Sequence, residues 1–126
     1  MEDIHIQGFK GVYIIPTVDF DSTKGTCEIS GESFLEETSK FYSPLLEWIK
    51  EYAGKNSSLC FDFKLTYFNT SSSKWIMNIL LVLKKFEENG GKLTVNWYYF
   101  ADDPEMKDDI EDYVMDSGLK VNMFPF

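Results

Sequence analysis

Apolar and polar residues alternate strictly in two stretches of the chain. In LCFDFKLTYF, Leu59, Phe61, Phe63, Leu65 and Tyr67 share one side, and Cys60, Asp62, Lys64, Thr66 and Phe68 share the other. In KLTVNWYYF, Leu93, Val95, Trp97 and Tyr99 oppose Thr94, Asn96, Tyr98 and Phe100. A period of two predicts a strand with one greasy face. Between the two runs the period changes. Trp75, Ile76, Ile79, Leu80, Leu83 and Phe86 line one side of a helix that NTSSSK opens and Asn89-Gly90-Gly91 stops. Strand, helix, strand within so short a segment is a βαβ unit, with parallel strands and a right-handed crossover.

Other elements flank this unit. GVYIIPTVDF and TCEIS read as two strands around the polar turn DSTKG, with Pro16 suited to an edge or a bulge. SFLEETSKFYSPLLEWIKEYAG carries a helical stripe of Phe41, Leu45, Trp48, Ile49 and Tyr52. Ser33 with Glu36 fits a capping box there, Thr38 is an alternative cap, Pro44 suggests a kink or a start near Phe41, and Gly54 a stop. In DDPEMKDDIEDYVMDSG, Asp103 is the expected N-cap and Pro104 the first helical residue, with Met106, Ile110, Tyr113 and Val114 facing inward. A short strand in LKVNMF closes the series. The expected order is β-β-α-β-α-β-α-β, an α/β domain spanning 1–126 with helices mainly on one face of a mixed sheet.

Charge narrows what such a domain can do. The net charge is −9, and all 12 cationic residues are lysines. Without basic surface to neutralise phosphates, nucleic-acid binding is not expected. The absence of arginine also removes the bidentate fork commonly used to hold phosphate or carboxylate. Cys27 and Cys60 provide neither a disulfide framework nor ligand spacing, and read as reduced core residues. MEDIHIQG lacks the apolar run of a signal peptide, and WIMNILLVL is half a membrane span, so a soluble cytoplasmic protein is expected.

Few residues are candidates for chemistry. His5 is the only histidine, so no triad of the usual kind can form, and no phosphate-binding glycine motif is present. Asp102, Asp103, Glu105, Asp108, Asp109, Glu111, Asp112 and Asp116 make an acidic run that lacks the ligand spacing of a calcium loop. Its bland reading is a solvated helix face; a partner-facing patch or an enzyme using carboxylates around Asp102 and Asp103 are the sharper ones. No metal site or cofactor is expected. The third candidate is YFNTSSSK, with four hydroxyls in a row at Thr70, Ser71, Ser72 and Ser73. They can be a helix cap with spare polar residues. Equally, they lie where a parallel strand meets a helix N-terminus, and there the free amides favour a phosphate, bound or covalent.

GESF at 31–34, FYSPLLEWIKEY at 41–52, LTYFNTSS at 65–72 and WYYFADDPEM at 97–106 together resemble the SiaC family of bacterial regulatory phosphoproteins. The resemblance spans almost the whole chain and implies a STAS-like fold, similar to anti-sigma-factor antagonists. It implies that Thr70 is the phosphoacceptor, with Ser71 the alternative, and that Asn69, Ser71, Ser72, Ser73 and Lys74 form the switch loop. Tyr67, Glu32, Asp102 and Asp103 become the partner-binding candidates. A cognate serine/threonine kinase and a metal-dependent phosphatase would set the state of a non-enzymatic partner switch. The unphosphorylated form would activate an effector, in the best-known members a diguanylate cyclase controlling biofilm formation. The chain departs from the family pattern at Leu35, where proline is common, near Tyr13, where an arginine is usual, and at Ile110, in place of a glycine. The remaining alternative is an anion- or small-ligand-binding module built on the same 69–74 helix end.

Overall fold

The two alternating runs form neighbouring strands at the centre of a sheet. In the computed structural model, which describes residues 1–126, they are β6 (Ser58–Phe68) and β7 (Lys92–Tyr99), joined through α2 (Thr70–Glu88). Before them come β1 (Ile4–Ile6), β2 (Phe9–Lys10), β3 (Ile14–Ile15), β4 (Thr17–Asp21), β5 (Thr26–Ser33) and α1 (Thr38–Lys55); after them come α3 (Pro104–Ser117) and β8 (Asn122–Pro125). The main sheet runs β1-β4-β5-β6-β7-β8. β1 and β4 pair antiparallel, as do β4 and β5, while β5 through β8 are parallel. The expected hairpin and parallel βαβ unit are both present in this mixed α/β fold.

The period of two accounts for the layering. Phe61, Phe63, Leu65, Val95 and Trp97 are buried against the helices, with Ile49, Ile76, Leu80 and Leu83 across from them. The opposite face is polar. There Lys64 pairs with Glu28 at 2.8 Å and lies over the Tyr98 ring, and Asn96 donates to Asp62 at 2.8 Å. An open polar face leaves all three helices to cover the other one.

One bulge breaks the alternation of β6. Gly31 pairs with Leu65 and Glu32 with Tyr67, so Thr66 is the extra residue. A bulge inverts which side chains face in. Tyr67, expected inside, is exposed, and Phe68 turns inward to contact the rings of Trp97 and Tyr113.

Several local expectations need correction. β1 and β2 lie outside the expected strands, and Ile14-Ile15, expected within the strand before the DSTKG turn, instead pair with Phe9-Lys10 as the separate strand β3. Because β1 covers β4, Pro16 does not sit on an edge strand; it falls in the break between β3 and β4. Ser33 is no capping residue: it is buried at the end of β5 with its hydroxyl bonded inside the protein. Thr38 is the first helical residue of α1, whose N-cap, Glu37, makes no side-chain cap bond. Pro44 lies inside α1, which therefore does not start near Phe41. The proline is on the exposed side, where the carbonyl it leaves without a donor can be hydrated. Gly54 does not stop α1, which runs on to Lys55. Cys27 is buried, but Cys60 is only half-buried on the polar face.

Phe63 is fully buried and stacks on Trp97 with ring centroids 4.5 Å apart. Phe63→Ala is expected to lower stability by about 3–5 kcal/mol in a urea titration followed by tryptophan fluorescence, and a loss below about 1 kcal/mol would contradict this packing.

Candidate functional site

The βα turn after β6 sits at the carboxyl edge of four parallel strands. Asn69 is the N-cap of α2. Its side-chain oxygen accepts from the Ser72 amide at 3.0 Å, from the Ser72 hydroxyl, and from the Ser71 hydroxyl at 3.3 Å. Its amide nitrogen donates to the Leu35 carbonyl at 3.1 Å, which fixes the orientation of the side chain. Its backbone N–H donates to the Ser33 carbonyl.

Beneath the cap runs a buried chain of hydroxyls. Tyr42 and Ser33 are 2.6 Å apart, and Ser33 donates to Ser72 at 2.9 Å. With one proton per hydroxyl, one direction satisfies every group: Tyr42 donates to Ser33, Ser33 to Ser72, and Ser72 to Asn69. Burial raises the Tyr42 phenol to about 12, so it remains a donor at neutral pH. The chain ties the end of β5, α1 and the first turn of α2 together.

The four hydroxyls at 70–73 therefore differ. Ser72 is buried and fully used. Ser71 is exposed but bonded to the cap. Ser73 is half-buried, and its carbonyl accepts from the Tyr113 hydroxyl at 3.2 Å. Thr70 is exposed at the first helical position, and its hydroxyl makes no hydrogen bond. Lys74 is exposed one residue beyond.

The remaining candidates are arranged around this turn. Tyr67 lies three residues before Thr70, in ring contact with Phe34, which in turn meets Tyr13. Asp102 is exposed after β7, at the same edge. Asp103 accepts from the Met106 amide at 3.0 Å and caps α3. Glu32 is half-buried and pairs with Lys10 at 3.5 Å, on the side of the sheet away from α3.

Two features were missed in the sequence. Exposed aromatics follow each parallel strand at this edge: Phe34 after β5, Tyr67 at the end of β6, Phe100 after β7 and Phe126 after β8. Only the strand order shows that they share an edge. The second is a cleft of about 330 Å³ lined by Phe68, Asn69, Thr70, Ser73 and Tyr113 together with Asp109, Asp112 and Asp116. The acidic run is thus not solvated evenly, because three of its carboxylates face the α2 end. Partial burial and the neighbouring Asp112, Glu105, Asp103 and Asp108 push the Asp109 carboxyl up from its usual range. A free anion in this cleft would lie against those carboxylates, which weighs against the anion-binding alternative. No group of three or more histidine, cysteine or carboxylate side chains is arranged to hold a metal ion. No helix is long and apolar enough to cross a membrane.

Comparison with known proteins identifies the family and the fold. A family model described as SiaC family regulatory phosphoprotein matches residues 10–126. An uncharacterised protein of Pseudomonas aeruginosa (strain UCBPP-PA14) is 29% identical over 100 residues, 79% of this chain and 77% of that one. The structure of apo-SiaC from Pseudomonas aeruginosa superposes with a TM-score of 0.87 at 25% identity, covering 98% of this chain and 99% of the other. A chain in the structure of the diguanylate cyclase SiaD in complex with its activator SiaC, from the same organism, gives 0.86 at 21% identity, covering 96% and 100%. At that identity the likeness concerns the fold.

Ser72→Ala is expected to cost roughly 1–3 kcal/mol, since it leaves the buried Ser33 hydroxyl without its side-chain acceptor. Thr70→Ala should stay within about 0.5 kcal/mol of the parent, as exposed positions without partners do. Thermal denaturation of the two variants side by side checks both, and equal losses would contradict the different roles of the two hydroxyls.

Proposed function

The chain belongs to the SiaC family of regulatory phosphoproteins, and from that premise we propose that it is a non-enzymatic partner switch whose phosphoacceptor is Thr70. A cognate kinase transfers the γ-phosphoryl group of ATP to the Thr70 hydroxyl oxygen, releasing ADP and the hydroxyl proton. A metal-dependent phosphatase returns the hydroxyl by hydrolysis. The unphosphorylated form binds and activates a cytoplasmic effector, a diguanylate cyclase by analogy with the SiaC protein found in complex with SiaD.

The observation that carries this reading is the unequal state of the four hydroxyls. Thr70 is open to an incoming kinase and has no bond to give up, whereas Ser72 is locked inside the cap and Ser71 is bonded to it. Modification of Thr70 leaves the hydroxyl chain beneath it intact, so the α2 cap stays anchored in both states.

A phosphate at this point adds about −1.5 to −2 charges. It would stand at the same carboxyl edge of the sheet as the exposed aromatics Phe34, Tyr67 and Phe100. An effector that covers that edge must dehydrate whatever lies on it. A dianion buried there without a cationic partner is costly, so the modified form is expected to bind weakly.

Incubation with the kinase and ATP is expected to add one phosphate to the parent and to Ser71→Ala, and none to Thr70→Ala. Thr70→Ala should also hold the cognate cyclase whether or not kinase is present, while the phosphorylated parent releases it. Intact mass and pull-down read the two halves separately. Phosphate retained by Thr70→Ala, or equal capture of both parent forms, would refute the assignment.

A further inference from the structure

The cleft beside Thr70 assigns a role to α3. Asp109, Asp112 and Asp116 follow one another along the helix at spacings of three and four, so they share a face. That face lines the same cleft as Thr70 and Ser73. No residue of α3 takes part in an ion pair, and its one lysine, Lys107, is exposed. The wall opposite Thr70 is therefore negative and uncompensated. Partial burial, and after it the neighbouring carboxylates, hold the Asp109 carboxyl above its usual range.

A phosphate on Thr70 experiences two opposed forces. The free amides and positive end of α2 draw it toward the first turn of that helix. The carboxylates of α3 repel it from the other side. Of the two elements, α2 is held more firmly. Its cap is tied to β5 and α1 through the hydroxyl chain, and five apolar residues bury along it. α3 is shorter and is anchored by Met106, Ile110 and Tyr113, with the Tyr113–Ser73 hydrogen bond as its polar link to α2. Repulsion moves the less restrained partner.

We propose that Asp109, Asp112 and Asp116 read the modification: a phosphate on Thr70 repels this carboxylate face, breaks the Tyr113–Ser73 bond and loosens α3 from the body of the domain. The inference rests on Thr70 as the phosphoacceptor. It adds that the two states differ in the order of α3 as well as in the charge at the turn. A partner can then sense phosphorylation through α3 without touching residue 70.

The test uses the full chain with phosphothreonine installed at position 70 during translation, so it does not depend on a kinase. Hydrogen exchange of α3 amides is expected to quicken about tenfold or more relative to the unmodified chain, with α1 unchanged. In the triple variant Asp109→Asn, Asp112→Asn, Asp116→Asn the phosphate should no longer have this effect. Molar salt, which shortens screening to about 3 Å, should reduce it in the parent. Equal α3 protection with and without phosphate overturns the proposal. So does a loss of protection that the triple variant leaves in place, since that would arise at the α2 end alone. Absence of phosphate from protein made in its own host would remove Thr70 as the natural acceptor, a result separate from the exchange measurement.

Discussion

The buried run from Tyr42 through Ser33 and Ser72 to Asn69 is the interaction on which the site depends. It joins three elements through their side chains: the end of β5, the first turns of α1, and the cap of α2. Ser33 and Ser72 each give one bond and receive one, and Tyr42 gives one, so every hydroxyl proton is used without water. A complete buried network fixes geometry strongly, and a broken one is costly. The consequence for the surface is direct. Asn69 is held at both ends of its amide, and the α2 N-terminus cannot drift. Thr70 is displayed from a rigid base while remaining free itself.

The same network explains why a turn rich in hydroxyls need not be redundant. A helix start uses at most one N-cap side chain, and in α2 Asn69 supplies it. Ser72 then connects that cap to the core, and Ser71 satisfies part of it from outside. Thr70 contributes to neither function. A residue with no structural duty at an exposed helix start is well suited to carry a removable charge, because changing it does not alter what holds the fold.

The architecture was readable in the sequence where burial has a period. Alternation in β6 and β7 and the apolar stripes of α2 and α3 depend only on which side chains face the core, and these elements formed at the expected places, with the Asp103 cap and Pro104 start intact. Expectations failed where one residue was asked to overrule packing. α1 begins at Thr38 rather than near Phe41 and runs past Gly54, because Tyr42, Leu45, Trp48, Ile49 and Tyr52 bury along one helix. Ser33 and Glu36 had capping-box spacing, but Ser33 was needed inside. The bulge at Thr66 left no trace in composition, and it alone places Tyr67 outside and Phe68 within. Of the site, the βα turn was legible as a strand-to-helix junction. The Tyr42–Ser33–Ser72 chain and the carboxylate wall were not, since both join residues that only the folded chain brings together.

Those two hidden features set what a charge at Thr70 can do. The chain has no arginine, so no bidentate fork is available within the domain to receive a phosphate. The amide of Ser72, the best-placed donor of the first turn, is already taken by Asn69. Lys74 is exposed, and its charge on a solvated stem is a weak offset. Opposite stand three carboxylates without cations. A domain built to bind phosphate would neutralise it locally, and the charge would then have little effect elsewhere. Here the surroundings oppose it, and the hydroxyl chain prevents α2 from yielding. The energy of the added charge is left to act outward, on α3 and on any partner covering the aromatic edge. That arrangement fits a signal better than a binding site.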